Sequence, residues 1–266
     1  MGRAIELLSG YVTAPSTTNT ALTMNAGNTL QIRNAVEGSD IRLIGAWTKN
    51  QTAGVLRILS PRLHDNVQNM RFFAPIGANY PQYLPQNPQK LVSQDTLTVT
   101  LSGSATAGDL EIASLLVEYE DLPGVNARFL TTEELLSRTV NIMTVENTLA
   151  TGTAGGYSGQ EAINAEYDLM KANTDYALMG YTTSVVGGNI RWQGADLGNL
   201  GIGGPCPTLS LDMTRNWFVD MSNRLGRACI PVFNSANKAG ILIDASQDEN
   251  GVDILVTSIF AELSPA

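Results

Sequence analysis

The sequence predicts an all-β chain of two tandem eight-stranded jelly-roll barrels, related by internal duplication, with short helices in the linker and in the second barrel. Three observations predict it. The chain writes the same ending twice: "AGDLEIASLLVEYEDLP" (Ala107 to Pro123) and "ENGVDILVTSIFAELSP" (Glu249 to Pro265) align at an offset of 142 residues, matching Leu110 to Val252, Ile112 to Ile254, Glu120 to Glu262 and Pro123 to Pro265. An earlier pair, "SDIRLIGAW" and "TDYALMGYT", keeps Asp40/Asp175, Leu43/Leu178 and Gly45/Gly180 at an offset of 135. Short β-type runs separated by turn residues fill most of the space between these matches.

Taken in order, "ALTMNAGNTLQIRN" reads as two strands about a Gly-Asn turn, the second alternating Leu30 and Ile32. The strands "IRLIGAWT" and "GVLRILS" follow, split by the polar turn "KNQTAG". "PIGANYPQYLPQNPQ" carries four prolines, which cannot donate to a strand ladder, so it is expected as a long surface excursion. "TLTVTL" and "LEIASLLVEYE" complete a first barrel over 1–123. Residues 124–150 are expected as a linker. Within it Thr131 can accept from the amide of Glu134 while Glu134 reaches back, a capping box that opens a helix from Thr132 to Arg138.

The second barrel is expected over 151–266, with strands near Ala162 to Met170 and Tyr176 to Tyr181, and with "NIRWQGA" parallel to "VLRILSP". Met213, Trp217, Met221 and Leu225 recur at four-residue steps, an amphipathic helix with Asp212 available as a cap and Gly226 as its stop. Its Met and Trp side chains are expected in the core. The Gly-rich "GADLGNLGIGGPCPTLS" is expected as a second long loop, conformationally permissive but lacking the dinucleotide or P-loop pattern.

The chain of 266 residues has room for two domains, and its net charge of −9 argues against a groove that neutralises phosphates. The second half, from residue 124, holds −7 of that charge. At 43% hydrophobic and 15% charged, the composition suits packed β structure with large buried contacts, which points to assembly. "MGRAIELLSGYV" is a poor secretory signal because Glu6 interrupts it, and no window offers the long uncharged run of a membrane span. Cys206 and Cys229 are expected as structural thiols.

His64 is the single histidine, which argues against multi-imidazole metal sites, and with them a duplicated cupin. "SANK" (Ser235 to Lys238) fits S-x-x-K without its partner motifs S-D-N and K-T-G. "DASQDENGVD" (Asp244 to Asp253) alternates oxygen side chains, but Glu249 and Leu255 break the calcium-loop pattern, and Asn250-Gly251 reads as a hairpin turn. No pair of carboxylates is placed in one cleft by sequence. Catalytic residues, cofactor-binding residues and metal ligands are therefore each expected as none.

On the twin endings, the Asp40/Asp175 segments and the helix-bearing stretch from Thr131 to Arg138, the chain resembles the double jelly-roll major capsid proteins of icosahedral DNA viruses. The resemblance is one of architecture. It implies a non-enzymatic virion protein, assembled in the host cytoplasm, that forms pseudo-hexagonal homotrimers tiling an icosahedral shell by lateral contacts with neighbouring trimers. Penton or minor capsid proteins would be further partners, and direct sequence-specific nucleic acid binding is not expected. The chain departs from the family in nearly lacking the long amphipathic or basic N-terminal arm of many members. The alternative is a tandem β-sandwich that binds carbohydrate or a receptor, such as a virion spike or lectin-like module.

Overall fold

The computed structural model describes residues 2–18, 20–24, 40–62, 70–78, 82–83, 89–93, 95, 97–150, 152–185, 187–206, 212–247 and 249–265. Two pairs of antiparallel sheets follow one another along the chain. The first pair is built from β1 (Gly2–Thr13), β2 (Thr20–Ala21), β3 (Thr23–Met24), β4 (Ile41–Asn50), β5 (Gly54–Leu59), β6 (Met70–Ala74), β7 (Gly77–Ala78), β8 (Gln82–Tyr83), β9 (Gln89–Leu91), β10 (Thr98–Leu101) and β11 (Leu110–Leu122). The second pair uses β12 (Arg128–Leu130), β13 (Thr139–Leu149), β14 (Glu161–Ala162), β15 (Asp175–Thr183), β16 (Asn189–Gln193), β17 (Ile202–Pro205), β18 (Ile230–Asn234), β19 (Leu242–Ser246) and β20 (Ile254–Leu263). Among the described residues the α-helices are α1 (Thr132–Arg138), α2 (Asp212–Arg215) and α3 (Trp217–Leu225), and none is long and apolar enough to cross a membrane.

The two pairs have the same strand order. In the second, β13-β20-β15-β18 faces β14-β19-β16-β17; in the first, β1-β11-β4 with β7, β8 and β9 faces β2-β10-β5-β6. First and last strands thus lie side by side in each unit, and the fold is all-β with a duplicated barrel, β3 added at one edge of the first unit and β12 at one edge of the second. Each unit has its own sandwich core: Leu43, Leu56, Ile58, Val99, Leu115 and Val117 in the first, and Tyr181, Trp192, Ile243, Val256 and Phe260 in the second.

The duplication extends to a shared irregularity. On β4, Leu43 and Gly45 face Val117 and Leu116, so Ile44 is an extra residue; on β15, Leu178 and Gly180 face Phe260 and Ile259, so Met179 is the extra one. Such a bulge bends the strand and holds the pairing in place. Gly180 is required at its bulge, because a Cβ there would lie 2.3 Å from the carbonyl oxygens of Thr214 and Arg215. Strand pairing also corrects the offset. Val117 corresponds to Phe260, 143 residues on, and past the irregularity at Glu120 and Asp121 the match of Leu122 to Leu263 falls to 141. The offset of 142 averages the two, and in the strand body it is one residue out, which places every side chain on the wrong face.

Several expectations change. The stretch 124–150 is not a free linker, for β12 pairs with β18 and β13 pairs along its length with β20, completing the second unit's larger sheet. The helix within it is as expected: Thr131 accepts from the amide of Glu134, and the Glu134 carboxylate accepts from the amide of Thr131. The Gly-rich loop is structured, carrying β17, because its glycines fit against β16 where a Cβ at Gly203 would meet the Ile190 carbonyl oxygen at 1.9 Å. The strand expected from Ala162 to Met170 is only β14 and then turns. The amphipathic helix is broken at Asn216 into α2 and α3, and Gly226 ends it in the left-handed region at φ 64°. Leu30, Ile32, His64, the side chains of Asp212 and Met213, and part of the proline-rich excursion lie outside the described residues.

Candidate functional site

Each β11 residue from Leu110 to Tyr119 is buried, as are nine of the ten residues of β4, whereas β20 alternates buried and half-buried positions over most of its length. A strand buried on both faces has a layer on each side. For β4 and β11 one layer is their own sandwich and the other is the second unit. Ile5, Leu7, Ile44, Trp47 and Leu116 point away from the first core and join the second. The contact is one of unlike surfaces: the outer face of the first unit's larger sheet lies against β16, β17 and α3 of the second unit.

Polar groups fix its register. The Leu7 amide donates to the Gly201 carbonyl at 2.7 Å, just before β17. Asn189 Oδ1 accepts from Trp47 Nε1 and pairs with Ser114 Oγ, both at 2.9 Å. Trp47 meets Trp217 edge to face at 5.7 Å. Ser9 and Tyr157 share a hydroxyl hydrogen bond of 2.8 Å, and the Tyr157 ring carries the Arg191 guanidinium 3.7 Å from its centroid. Arg191 in turn holds Asp244 through two bonds of 2.7 and 2.8 Å. Burial pushes the Tyr157 hydroxyl up to about 12, so it is a neutral donor or acceptor throughout the physiological range. At the other end of the contact Glu118, fully buried, receives both Arg3 and Arg227. Arg3 also donates to the Ala228 carbonyl and lies over the Phe129 ring.

The weaker sequence signals fall elsewhere. Ser235 Oγ donates to the Lys171 carbonyl and accepts from the Thr174 amide, while Lys238 pairs with Asp168, so "SANK" places its serine and lysine in separate structural contacts. Asp244, the first residue of the calcium-like run, is taken by Arg191, and no group of three or more metal-ligating side chains occurs among the described residues. Cys206 and Cys229 are both buried and form no disulfide, and burial raises Cys229 to about 11. A cleft of about 350 Å³ opens beside Val140, Asp175, Asn234 and Glu262. Its carboxylates are committed: Arg128 donates to both oxygens of Asp175 and Lys171 pairs with Glu262.

The duplicated Asp40 and Asp175 play matching parts, each binding an arginine near the start of its strand: Arg42 for the first and Arg128 for the second. These bonds hold both carboxyls below the ordinary aspartate value of 3.8. Their stabilisation is therefore present above that value and lost as pH falls through the lower folded value. Melting Asp175→Asn beside the parent from pH 5 to 2 tests this: the parent's advantage is expected to shrink below pH 3.8, and a constant difference would refute it.

No family model matches the chain, and no curated protein matches its sequence. Among solved structures it is similar to one titled PBSX exported protein XepA, at 10% identity and TM-score 0.23 over 96% of this chain and 86% of that one. It is also similar to the STIV MCP, a viral major capsid protein, at 8% identity and TM-score 0.21 over 99% and 97% of the two chains. At TM-scores this low the likenesses assign neither fold nor function.

Proposed function

We propose that this is a structural protein of a virus particle, a major capsid protein whose homotrimers present six jelly rolls in pseudo-hexagonal outline and tile an icosahedral shell. The observation that carries the reading is the packing of two like units through unlike surfaces. A heterologous contact leaves one partner surface unused at each end; repeated between chains it gives a ring when its rotation closes and a filament when it does not, and the reading takes the closed form, a trimer. Buried aromatic and ionic contacts make the pair a stiff block, which suits a building unit. Neighbouring trimers and other virion proteins, penton or minor capsid, are the partners, and the particle is the location after assembly in the host cytoplasm. With −7 of the net charge in the second half, sequence-specific nucleic acid binding forms no part of the reading.

Light scattering on the purified protein tests it, followed by electron microscopy of the same peak. The expected mass is three times 28.4 kDa, with a hexagonal outline. A monomer at micromolar concentration would refute the reading, and thermal stabilisation by a glycan in that monomer would favour a sugar-binding module instead.

A further inference from the structure

Register identifies what each residue of the internal contact becomes in the other unit. Ile5 faces Glu118 and Ile142 faces Ala261, 143 residues beyond Glu118, so Ile142 stands where Ile5 stands. By the same pairing Val140 takes the place of Arg3, Glu146 that of Ser9, and Thr257 that of Ser114. The first set is covered by the second unit, and Ile5 is 0% exposed. In the second set Val140 is 63% and Ile142 56% exposed, and Glu146 and Thr257 are half-buried.

The covering surface has its own counterpart. Aligning Arg57 with Arg191, with Leu56 and Ile58 entering one core as Ile190 and Trp192 enter the other, places Val55 where Asn189 stands. Phe73, opposite Val55 across the ladder, then takes the place of Pro205, opposite Asn189. Phe73 is 63% exposed, with exposed Arg71 on the same face of β6. Thus an exposed apolar strand with an acidic end lies on one unit, and an exposed aromatic with a basic neighbour lies on the other.

We propose that β13 and the outer face of β20 bind the outer face of β5 and β6 on a second copy of this chain, repeating between chains the contact made within one. The occupant is another copy because the chain already shows both halves of the contact, and because Glu146 faces the side on which Arg71 would arrive. The assignment rests on the ring reading above for the number of copies, and the arms below separate the two.

The test joins the equivalents of Ser114 and Asn189, whose side chains meet at 2.9 Å within the chain. The double variant Val55→Cys/Thr257→Cys is oxidised and run denatured, beside each single variant. Cys206 and Cys229 are buried and do not compete. The expected result is interchain disulfides in the double variant, ending at a closed covalent trimer, and none in either single variant. Self-linking of Thr257→Cys alone would show like surfaces meeting and overturn the proposal. A wild-type trimer without cross-links in the double variant would also overturn it while leaving the ring reading intact; a wild-type monomer would remove the ring reading itself. As an independent arm, Ile142→Asp, at a solvent-facing position, is expected to keep the parent's far-ultraviolet circular dichroism and to raise at least tenfold the concentration at which the trimer forms. Retention of the trimer would count against the surface.

Discussion

Replacing Trp217 by alanine is expected to cost about 3–5 kcal/mol, the range for removing a large aromatic from a packed core. The side chain is buried, meets Trp47 of the first unit edge to face, and donates from Nε1 to the Gly203 carbonyl at 3.0 Å. It therefore joins α3, β17 and β4, and its loss opens a cavity where the two units meet. The carbonyl of Gly203 loses its indole donor as well, which adds a desolvated acceptor to the cavity cost. For a chain of this size the midpoint of thermal unfolding should fall by roughly 10 °C. Trp217→Phe, which fills most of the volume but cannot donate, should recover the larger part. A loss under about 1 kcal/mol for alanine would mean that the helix repacks and that the contact is not where the units are held.

Glu118→Ala is expected to be nearly as damaging, by about 2–4 kcal/mol, because it strands two cations whose common partner is gone. Arg3 and Arg227 each keep some access to water, which places the estimate below that of a fully enclosed triad. Arg3 comes from β1 and Arg227 from the turn after α3, so the triad spans the boundary between units. A double-mutant cycle with Arg227→Ala should show that the second change costs much less once the first is present. Strict additivity in chemical denaturation would show that the two side chains act separately.

The chain's local signals were legible because they depend on neighbours in sequence. Thr131 and Glu134 satisfy each other's backbone amides within a single turn, so the capping box and the helix to Arg138 follow from four residues. Asp40 and Asp175 mark the starts of corresponding strands, and Gly45 and Gly180 flank the bulges that both strands share. The repeated endings read correctly as strands. Their facing did not, since identities at Glu120/Glu262 and Pro123/Pro265 favour an offset that strand pairing divides into 143 up to Tyr119 and 141 at Leu122. Hydrogen-bond pairing with a distant strand sets facing, and an alignment of one chain with itself contains no pairing.

The candidate site was less legible still. Nothing in Ile5 or Ile142 distinguishes a strand already covered from one still open, because both are apolar residues in β-type runs. The same holds for β17, whose glycines read as a loop until β16 supplies the ladder that they approach closely. By itself the sequence determined the all-β class, the duplication and the first helix, each a matter of composition, of repeated pattern or of contacts a few residues apart. Tertiary structure alone decided that residues 124–150 belong to the second unit, that β4 and β11 are buried on both sides, and which exposed strands match the internal contact. Those outcomes depend on surfaces brought together from more than a hundred residues apart, where packing and strand pairing, rather than local preference, choose the partner.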